Sequence, residues 1–207
     1  MLPDRGEEPL SFRRVAKSEL GIVNQLELDP QQVERFLGPL HAIVAAVRRG
    51  PAHAMFAVQA AGAIIGFFVV HPDPRDNACW WLGWFAMDRR VQGRGLGRIA
   101  MAEIMRRFHR VQGCRRVRLL VAPDNHGACH LYQDAGFSSV GVLPATGELI
   151  LERIMPALLW ARRTMRAVLG PLPIWTKRGR RRMRLRLAPG PHAAMVIGVE
   201  RGPPLFA

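Results

Sequence analysis

The chain has 207 residues, which suits one well-buried domain with an appendage and is short for two independent enzymatic domains. Its 49% hydrophobic and 22% charged residues exclude a wholly disordered chain and a disulfide-stapled miniprotein. The formal net charge is +14 and it is uneven, because residues 1–152 contain 18 Lys and Arg against 15 Asp and Glu (+3) whereas residues 153–207 contain 12 against 1 (+11). The excess positive charge therefore belongs to the C-terminal tail.

The N-terminal segment and the cysteines predict a cytoplasmic protein. Residues 1–8 are polar and acidic, whereas a secretory signal has a basic start and an apolar run. The longest apolar stretch, residues 64–70, is too short to span a bilayer. Cys79, Cys114 and Cys129 form no Cys-x-x-Cys pair, so we expect reduced thiols and no membrane segment.

Strands and helices alternate along the first three quarters of the chain. In chain order, the hydrophobic patterns predict a strand over 10–15, a helix capped by Ser18, a helix that begins at Asp29 and Pro30 and breaks at Gly38 and Pro39, hairpin strands 55–59 and 64–70, a strand over 80–87, a helix over 96–111, a strand over 116–121, a helix over 128–135, and strands 138–142 and 148–153. Residues 80–87 are almost wholly apolar, as in a central strand covered on both faces. The alternation predicts a mixed three-layer α/β domain.

The tail differs in composition from the rest of the chain. We predict one domain over residues 1–155 and a basic, Pro- and Arg-rich, partly disordered extension over residues 156–207. Residues 177–186 contain seven Lys and Arg, and such a run binds phosphates without sequence preference. A nucleic-acid- or ribosome-binding protein is therefore one alternative function, although nearby aromatic residues for base stacking are limited to Trp175.

A glycine-rich loop is the most informative stretch. Residues 92–97 have the sequence Gln-Gly-Arg-Gly-Leu-Gly and stand between the predicted strand 80–87 and the helix that follows. Glycines let the backbone turn sharply and approach a ligand, and the first amides of a helix have no partner inside the helix. Such a helix N-terminus binds anions, and a diphosphate fits it.

Several kinds of site contain loops of this type. A dinucleotide-binding loop stands near the first strand, with an acidic residue about 20 positions later, whereas this loop follows several strands. A Walker loop needs Gly-Lys followed by Ser or Thr, which residues 92–97 lack. A coenzyme A diphosphate site remains, beside the alternative that the glycines only cap a helix.

Two motifs in this order resemble the GNAT superfamily of N-acetyltransferases. Gln92, Gly95 and Gly97 match the family pattern Gln/Arg-x-x-Gly-x-Gly/Ala. The pattern Asn-x-x-Ala-x-x-Leu-Tyr-x-x-x-Gly-Phe is matched by Asn125, Ala128, Leu131, Tyr132, Gly136 and Phe137. The resemblance covers residues 10–153 and implies a mixed, mainly antiparallel central sheet with a splayed parallel strand pair and flanking helices. It also implies a possible homodimer.

The resemblance implies acetyl-CoA as the acyl donor and names the residues that bind it. The diphosphate would lie against the amides of Gln92, Gly93, Arg94, Gly95, Leu96, Gly97 and Arg98. The pantetheine arm would bind along the strand edge at Phe85, Ala86 and Met87. Asn125 would contact the arm from the other side.

The implied mechanism is direct attack of a neutral amine on the thioester in a ternary complex. A backbone amide near Met87 would stabilise the developing oxyanion. Tyr132 would protonate the departing thiolate, since a phenol stays protonated at neutral pH. Asp88 is the first candidate for the general base and Glu148 the second. For each carboxylate the alternative is a solvated or ion-paired side chain.

The acceptor is the least determined part of the prediction. Residues 81–93, with aromatic side chains, Asp88 and the following Gln-Gly, resemble the polyamine or diamine branch of the family, as does Glu148 after a glycine. This implies a small primary amine or a polyamine, with tryptophan faces beside its cation. Other amines remain open, and so does a homologue that binds acyl-CoA without catalysis.

No metal site is expected. His126 and His130 are four residues apart and could share a helix face, but no third ligand stands at matching spacing. We expect surface histidines.

Overall fold

The structure is a computed structural model that describes residues 10–111 and 113–155. Its strands are β1 (Ser11–Arg14), β2 (Ala54–Ala60), β3 (Ala63–Pro72), β4 (Cys79–Met87), β5 (Arg116–Val121), β6 (Ser138–Val142) and β7 (Leu149–Ile154). They form one sheet in the order β1-β2-β3-β4-β5-β7-β6. Neighbouring strands are antiparallel except β4 and β5. The predicted mainly antiparallel sheet with one parallel pair is confirmed.

Helices cover both faces of this sheet. They are a 3₁₀ helix (Lys17–Gln25), α1 (Pro30–Gln32), a π-helical turn (Val33–Leu37), α2 (Leu40–Arg49), a 3₁₀ turn (Arg89–Val91), α3 (Leu96–Phe108) and α4 (His126–Asp134). One buried cluster joins one face of the sheet to α3, and a second joins the other face to the first 3₁₀ helix and α2. The three-layer arrangement follows from these two cores.

The start of α1 shows how local sequence sets a helix boundary. The Asp29 carboxylate accepts hydrogen bonds from the amides of Gln31 (2.8 Å) and Gln32 (3.0 Å), and Pro30 occupies the first helical position. Gly38, with φ of 77°, ends the π-helical turn before α2 begins. The predicted start and break of this helix are confirmed.

Three helices have boundaries that differ from the prediction, and one of them, α4, begins at His126 and ends at Asp134 instead of covering residues 128–135. The first helix begins at Lys17 as a 3₁₀ helix, so Ser18 lies inside it, and Ala16 at the cap position provides no side-chain hydrogen bond. Helix α3 ends at Phe108 instead of residue 111. Beyond that point the amide of Val111 bonds to the carbonyl three residues back, at Phe108 (3.0 Å), so the chain continues as a tight turn.

The pairing of β4 with β5 determines where the sheet opens. The pairing is confined to three residues of each strand, ending at Trp81 opposite Arg118. Beyond that point, which we call the vertex, the strands separate. Strand β4 also contains a bulge there: Leu82 pairs with Val70 and Trp84 with Val69, so Gly83 has no residue opposite it on β3. The central strand is thus irregular where its edge becomes free.

The remaining predictions concern the C-terminal extension, membrane helices, metal ligands and the cysteines. The basic extension over residues 156–207 lies outside the described residues. In residues 10–111 and 113–155, no helix combines the length and the apolar character needed to cross a membrane, and no three His, Cys, Asp or Glu side chains are grouped as metal ligands would be. The three cysteines are free.

Candidate active site

A cleft of about 570 Å³ opens between the separated ends of β4 and β5. The predicted site residues that line it are Phe85, Ala86, Met87, Gln92, Gly93, Gly95, Gly97, Arg98, Asn125, Tyr132 and Glu148. The structure therefore gathers most of the predicted residues around one cavity. Asp88, Arg94 and Leu96 are absent from its lining.

The glycine-rich loop has a backbone shape that requires glycine. Gly93 and Gly95 have φ of 73° and 81°, a region that side chains with a Cβ disfavour. Gly95 is the N-cap of α3. No protein atom lies within 4 Å of the position that a Cβ would take at Gly93, Gly95 or Gly97. The space above the loop is open to a ligand.

The amides of this loop form a cluster of unpaired donors. The amide of Gln92 donates to the Arg89 carbonyl (3.3 Å) and that of Arg98 to the Gly95 carbonyl (3.0 Å). The five amides of residues 93–97 have no acceptor in the described part of the chain. Five unpaired donors at the N-terminus of a thirteen-residue helix form an anion site. A diphosphate group matches it in charge and in the number of acceptor oxygens.

The side chain of Gln92 fixes the loop to its surroundings. Its Nε2 donates to the Met87 carbonyl at 2.9 Å, which joins the loop to the end of β4. It also exchanges hydrogen bonds of 3.2 Å with Gln32 on α1. The glutamine of the first motif thus holds the loop against β4 and α1 through side-chain hydrogen bonds.

The second motif is a helix with both ends capped. Asn125 accepts a hydrogen bond from the Ala128 amide (3.2 Å) at the start of α4. At the other end, Gly136 has φ of 81° and the Phe137 amide donates to the Tyr132 carbonyl at 3.0 Å, as in a Schellman cap. These caps fix the orientation of α4 against the cleft.

Tyr132 is held as a neutral phenol beside the cleft. Its ring is buried and makes an edge contact with Phe137 at 5.9 Å. Burial raises the pKa of Tyr132 above its usual value of 10. Within the described residues the hydroxyl has no hydrogen-bond partner, although Tyr132 lines the cleft. The hydroxyl is therefore available to a ligand.

Asp88 is the most heavily hydrogen-bonded carboxylate of this region. It is 1% exposed and accepts from the Glu27 amide at 3.0 Å, from the Arg90 amide at 2.9 Å, and from the Arg90 guanidinium at 2.6 Å and 2.8 Å. The hydrogen bonds from Arg90 lower the pKa of Asp88 to about 2. A carboxylate so stabilised in its ionised form is a weak proton acceptor. The geometry gives Asp88 a structural role at the end of β4.

Glu148 has the accessibility that Asp88 lacks. It stands directly before β7, is partly buried and lines the cleft. One carboxylate oxygen, Oε2, accepts a hydrogen bond from the Thr146 hydroxyl at 2.8 Å. No other side chain in the described residues donates to this carboxylate, so Oε1 has no hydrogen-bond partner there.

One wall of the cleft contains none of the residues predicted from the sequence. It consists of Leu28, Gln32, Phe36 and Leu37, in and beside α1 and the π-helical turn. Arg35 in the same turn pairs with Asp124 beyond β5 at 2.7 Å, so this wall is connected to the opposite side of the cleft. The capped helix start at Asp29 indicated the helix, but no local pattern indicated which surface it would cover.

A mixed sheet that opens between two parallel strands, beside a helix N-terminus with unpaired amides, places the chain among the mixed α/β proteins with a cleft between splayed parallel strands. A family model described as the acetyltransferase (GNAT) family matches residues 22–137. The chain belongs to this family. The resemblance inferred from the two motifs is confirmed.

Curated relatives and solved structures extend the comparison. Spermine/spermidine N(1)-acetyltransferase of Bacillus subtilis (strain 168) is 32% identical over 91 residues, which are 44% of this chain and 60% of that protein. The chain thus spans about 60% of the length of the curated relatives it matches.

The solved structures bear on the fold alone. Spermidine N-acetyltransferase from Vibrio cholerae in complex with CoA and spermine has a TM-score of 0.57 at 18% identity, over 70% of this chain and 95% of that one. Aminoglycoside acetyltransferase AAC(6')-Ib in complex with coenzyme A and kanamycin has a TM-score of 0.59 at 14% identity, over 70% and 94%.

Proposed function

We propose that this protein is an N-acetyltransferase that moves the acetyl group of acetyl-CoA to a primary amine, with a small amine or a polyamine as the favoured acceptor. The observation that carries the proposal is the group of five unpaired amides at residues 93–97, on a cleft that also contains Tyr132 and Glu148. Membership of the family and the spermine/spermidine relatives support the same reaction.

The donor would lie along the cleft between β4 and β5. The amides of residues 93–97 would hold its diphosphate, and the free edge of β4 at Phe85, Ala86 and Met87 would hold the pantetheine arm as an added strand does. The side-chain Nδ2 of Asn125 has no hydrogen-bond partner in the described residues and would contact the arm from the α4 side. Acetyl-CoA supplies a thioester carbonyl that an amine can attack and a thiolate that can leave.

Tyr132 and the strand edge would serve the reacting group. A backbone amide of β4 near Met87 would donate to the carbonyl oxygen as negative charge develops on it. The Tyr132 hydroxyl, protonated because burial raises its pKa, would give its proton to the sulfur. Holding both reactants in one cleft would supply much of the rate.

We propose Glu148 as the general base. Glu148 lines the same cleft as Tyr132, and its Oε1 has no hydrogen-bond partner in the described residues, whereas the Asp88 carboxylate is buried and accepts hydrogen bonds from Arg90 and from the Glu27 amide. An alkylammonium ion has a pKa of about 10 and must lose a proton before it attacks.

The expected homodimer and the cytoplasmic location remain predictions.

An amine panel tests the reaction. We expect acetyl-CoA-dependent release of free thiol with spermidine or small diamines, and slower release with aminoglycosides and peptide N-termini. Binding of acetyl-CoA without thiol release from any amine would favour the non-catalytic alternative. Stabilisation against heat by an oligonucleotide, lost at high salt, in the absence of any stabilisation by acetyl-CoA would favour the nucleic-acid alternative.

A further inference from the structure

A small recess of about 70 Å³ leads off the cleft at the vertex. Leu82, Gly83, Trp84, Leu120 and Glu148 line both the cleft and the recess. The recess alone is lined by His53, His71 and Trp81, and neither histidine belongs to a sequence motif. Both histidines are more than nine-tenths buried, with exposures of 8% and 6%.

The tautomer of His71 follows from its one hydrogen bond. Its Nδ1 lies 3.2 Å from the Pro72 carbonyl oxygen, which can only accept, so Nδ1 bears the proton. Burial lowers the pKa of His71, and the ring is therefore neutral at pH 7. A neutral ring with its proton on Nδ1 has a lone pair on Nε2, and this atom has no partner in the described residues.

The Nε2–Cδ2 edge of the His71 ring lies beside the bulge of β4. Both Nε2 and Cδ2 of His71 lie 3.7 Å from the position that a Cβ would take at Gly83. Gly83 lines both the cleft and the recess, and because it has no side chain, no atom fills this position beside Nε2. The glycine that forms the bulge thus leaves space next to the His71 ring at the vertex.

Neighbouring rings hold His71 in this orientation. His53 packs against it with ring centroids 4.4 Å apart, and Trp81 is nearly parallel to it at 6.4 Å. The Trp81 Nε1 donates to the Asp73 carboxylate at 2.8 Å, so it is not available to a ligand. Few alternative positions remain for the His71 ring.

Two of the recess-lining polar side-chain atoms without a partner in the described residues are acceptors, Nε2 of His71 and Oε1 of Glu148. The ring nitrogens of His53 also have no partner there, and Nδ1 of His53 is buried. No Lys or Arg lines the recess. The rings of Trp81 and Trp84 provide aromatic surface, which attracts cations. Such a recess fits a group with several N–H donors and a positive charge.

We propose that His71 determines acceptor specificity: Nε2 of His71 and the carboxylate of Glu148 both accept hydrogen bonds from the amino group of a small primary alkylamine seated at the vertex. A primary ammonium group has three N–H donors and can satisfy both acceptors, whereas an alcohol has one. The inference rests on the proposed function for the reaction that follows binding. It assigns the recess to the amino end of the acceptor.

Calorimetric titration of the CoA-saturated protein tests this assignment independently of turnover. We expect n-butylamine to bind and n-butanol to bind at least tenfold more weakly. His71→Phe retains a ring and removes the acceptor, and should weaken n-butylamine binding about tenfold while CoA affinity is unchanged. His71→Gln, which retains an acceptor, should recover part of the affinity. His41→Phe, the same change at an exposed position on α2, is the matched control.

Gly83→Ala provides a second variant that the fold tolerates. Its methyl group would have no contact shorter than 3.7 Å and would lie against Nε2 of His71, so amine affinity should fall while the melting temperature is unchanged. Equal affinity of wild type and His71→Phe for n-butylamine, or equal binding of the alcohol and the amine, would overturn the inference. If amine binding depends on His71 but no amine is acetylated, the proposed reaction fails and the recess assignment stands.

Discussion

The glycine loop and the vertex would bind groups of opposite charge, and they would do so with different kinds of protein atoms. The loop at residues 93–97 presents backbone donors, and its shape depends on glycines with positive φ. The vertex presents side-chain acceptors, Glu148 and His71, and aromatic walls. Backbone donors survive most changes of side chain but not a change of backbone shape. Side-chain groups are lost by single substitutions that leave the backbone intact, so the two regions should respond differently to mutation.

The largest expected effect on turnover is at a side chain. Tyr132→Phe removes one hydroxyl from a buried ring and should lower kcat by about 100-fold, the typical contribution of a general acid. The affinity for acetyl-CoA should stay within about twofold, because the amides of residues 93–97 are untouched. Stopped assays of thiol release and titration of the donor measure the two quantities. Unchanged kcat would remove Tyr132 from the mechanism.

At the loop, backbone shape should matter more than side chains. Replacing Gly93 and Gly95 together by alanine forces residues with a Cβ into φ near 73° and 81°, a cost of about 1–2 kcal/mol each. The affinity for acetyl-CoA should fall by at least about tenfold. Arg94→Ala, between them, removes an exposed side chain and retains its amide. It should change the affinity less than threefold, and a larger loss for Arg94→Ala than for the double variant would reverse the comparison.

The loop and α4 could be predicted from the sequence because residues close together in the chain determine their shape. The loop and the capped helix α4 are local patterns, because Gly95 and Gly136 set their own backbone shape and Asn125 caps the helix that it begins. Strands β5 and β6 have the bounds that the sequence predicted, because residues close by in the chain also determine where these strands begin and end.

The vertex could not be predicted in this way. His53 and His71 belong to different strand ends and meet only when β2 pairs with β3. The role of Asp88 depends on the amide of Glu27, 61 residues earlier. Neither contact leaves a periodic pattern or a motif in the sequence. Glu148 was named as a base because of a family resemblance, and its position on the cleft comes from the pairing of β7 with β5.

Substitution of Glu148 and of Asp88 tests which of the two carboxylates is the general base. Glu148→Gln should lower kcat/KM for the amine about tenfold at pH 7, and less at about pH 9.5, where more of the acceptor is already neutral. Asp88→Asn should change kcat/KM for the amine less than threefold at saturating acetyl-CoA, because the Asp88 carboxylate is occupied by Arg90. Initial rates at both pH values give the comparison. A larger loss for Asp88→Asn would return the base to Asp88.

The smallest expected effect is on the free energy of unfolding. Its measurement tests whether the shape of the glycine loop depends on its backbone alone or also on the side chain of Asp88. Asp88 caps the 3₁₀ turn Arg89–Val91 that leads into the loop. Its pKa in the folded protein is about 2, below the ordinary value of 3.8, so its contribution is complete above the ordinary pKa and is lost as pH falls through about 2. Because the Arg90 side chain is 52% exposed, we expect a contribution of about 1 kcal/mol.

Urea unfolding of wild type and Asp88→Asn at several pH values measures this contribution. The difference in unfolding free energy should be present at pH 7 and shrink between about pH 4 and pH 2, as protonation of the wild-type carboxylate removes what the variant already lacks. Glu19→Gln, which breaks an exposed pair with Arg13, should change stability by less than about 0.5 kcal/mol. If Asp88→Asn is as stable as wild type yet loses acetyl-CoA affinity, Asp88 shapes the loop without stabilising the fold, and the contrast between backbone and side-chain sites is weaker than proposed.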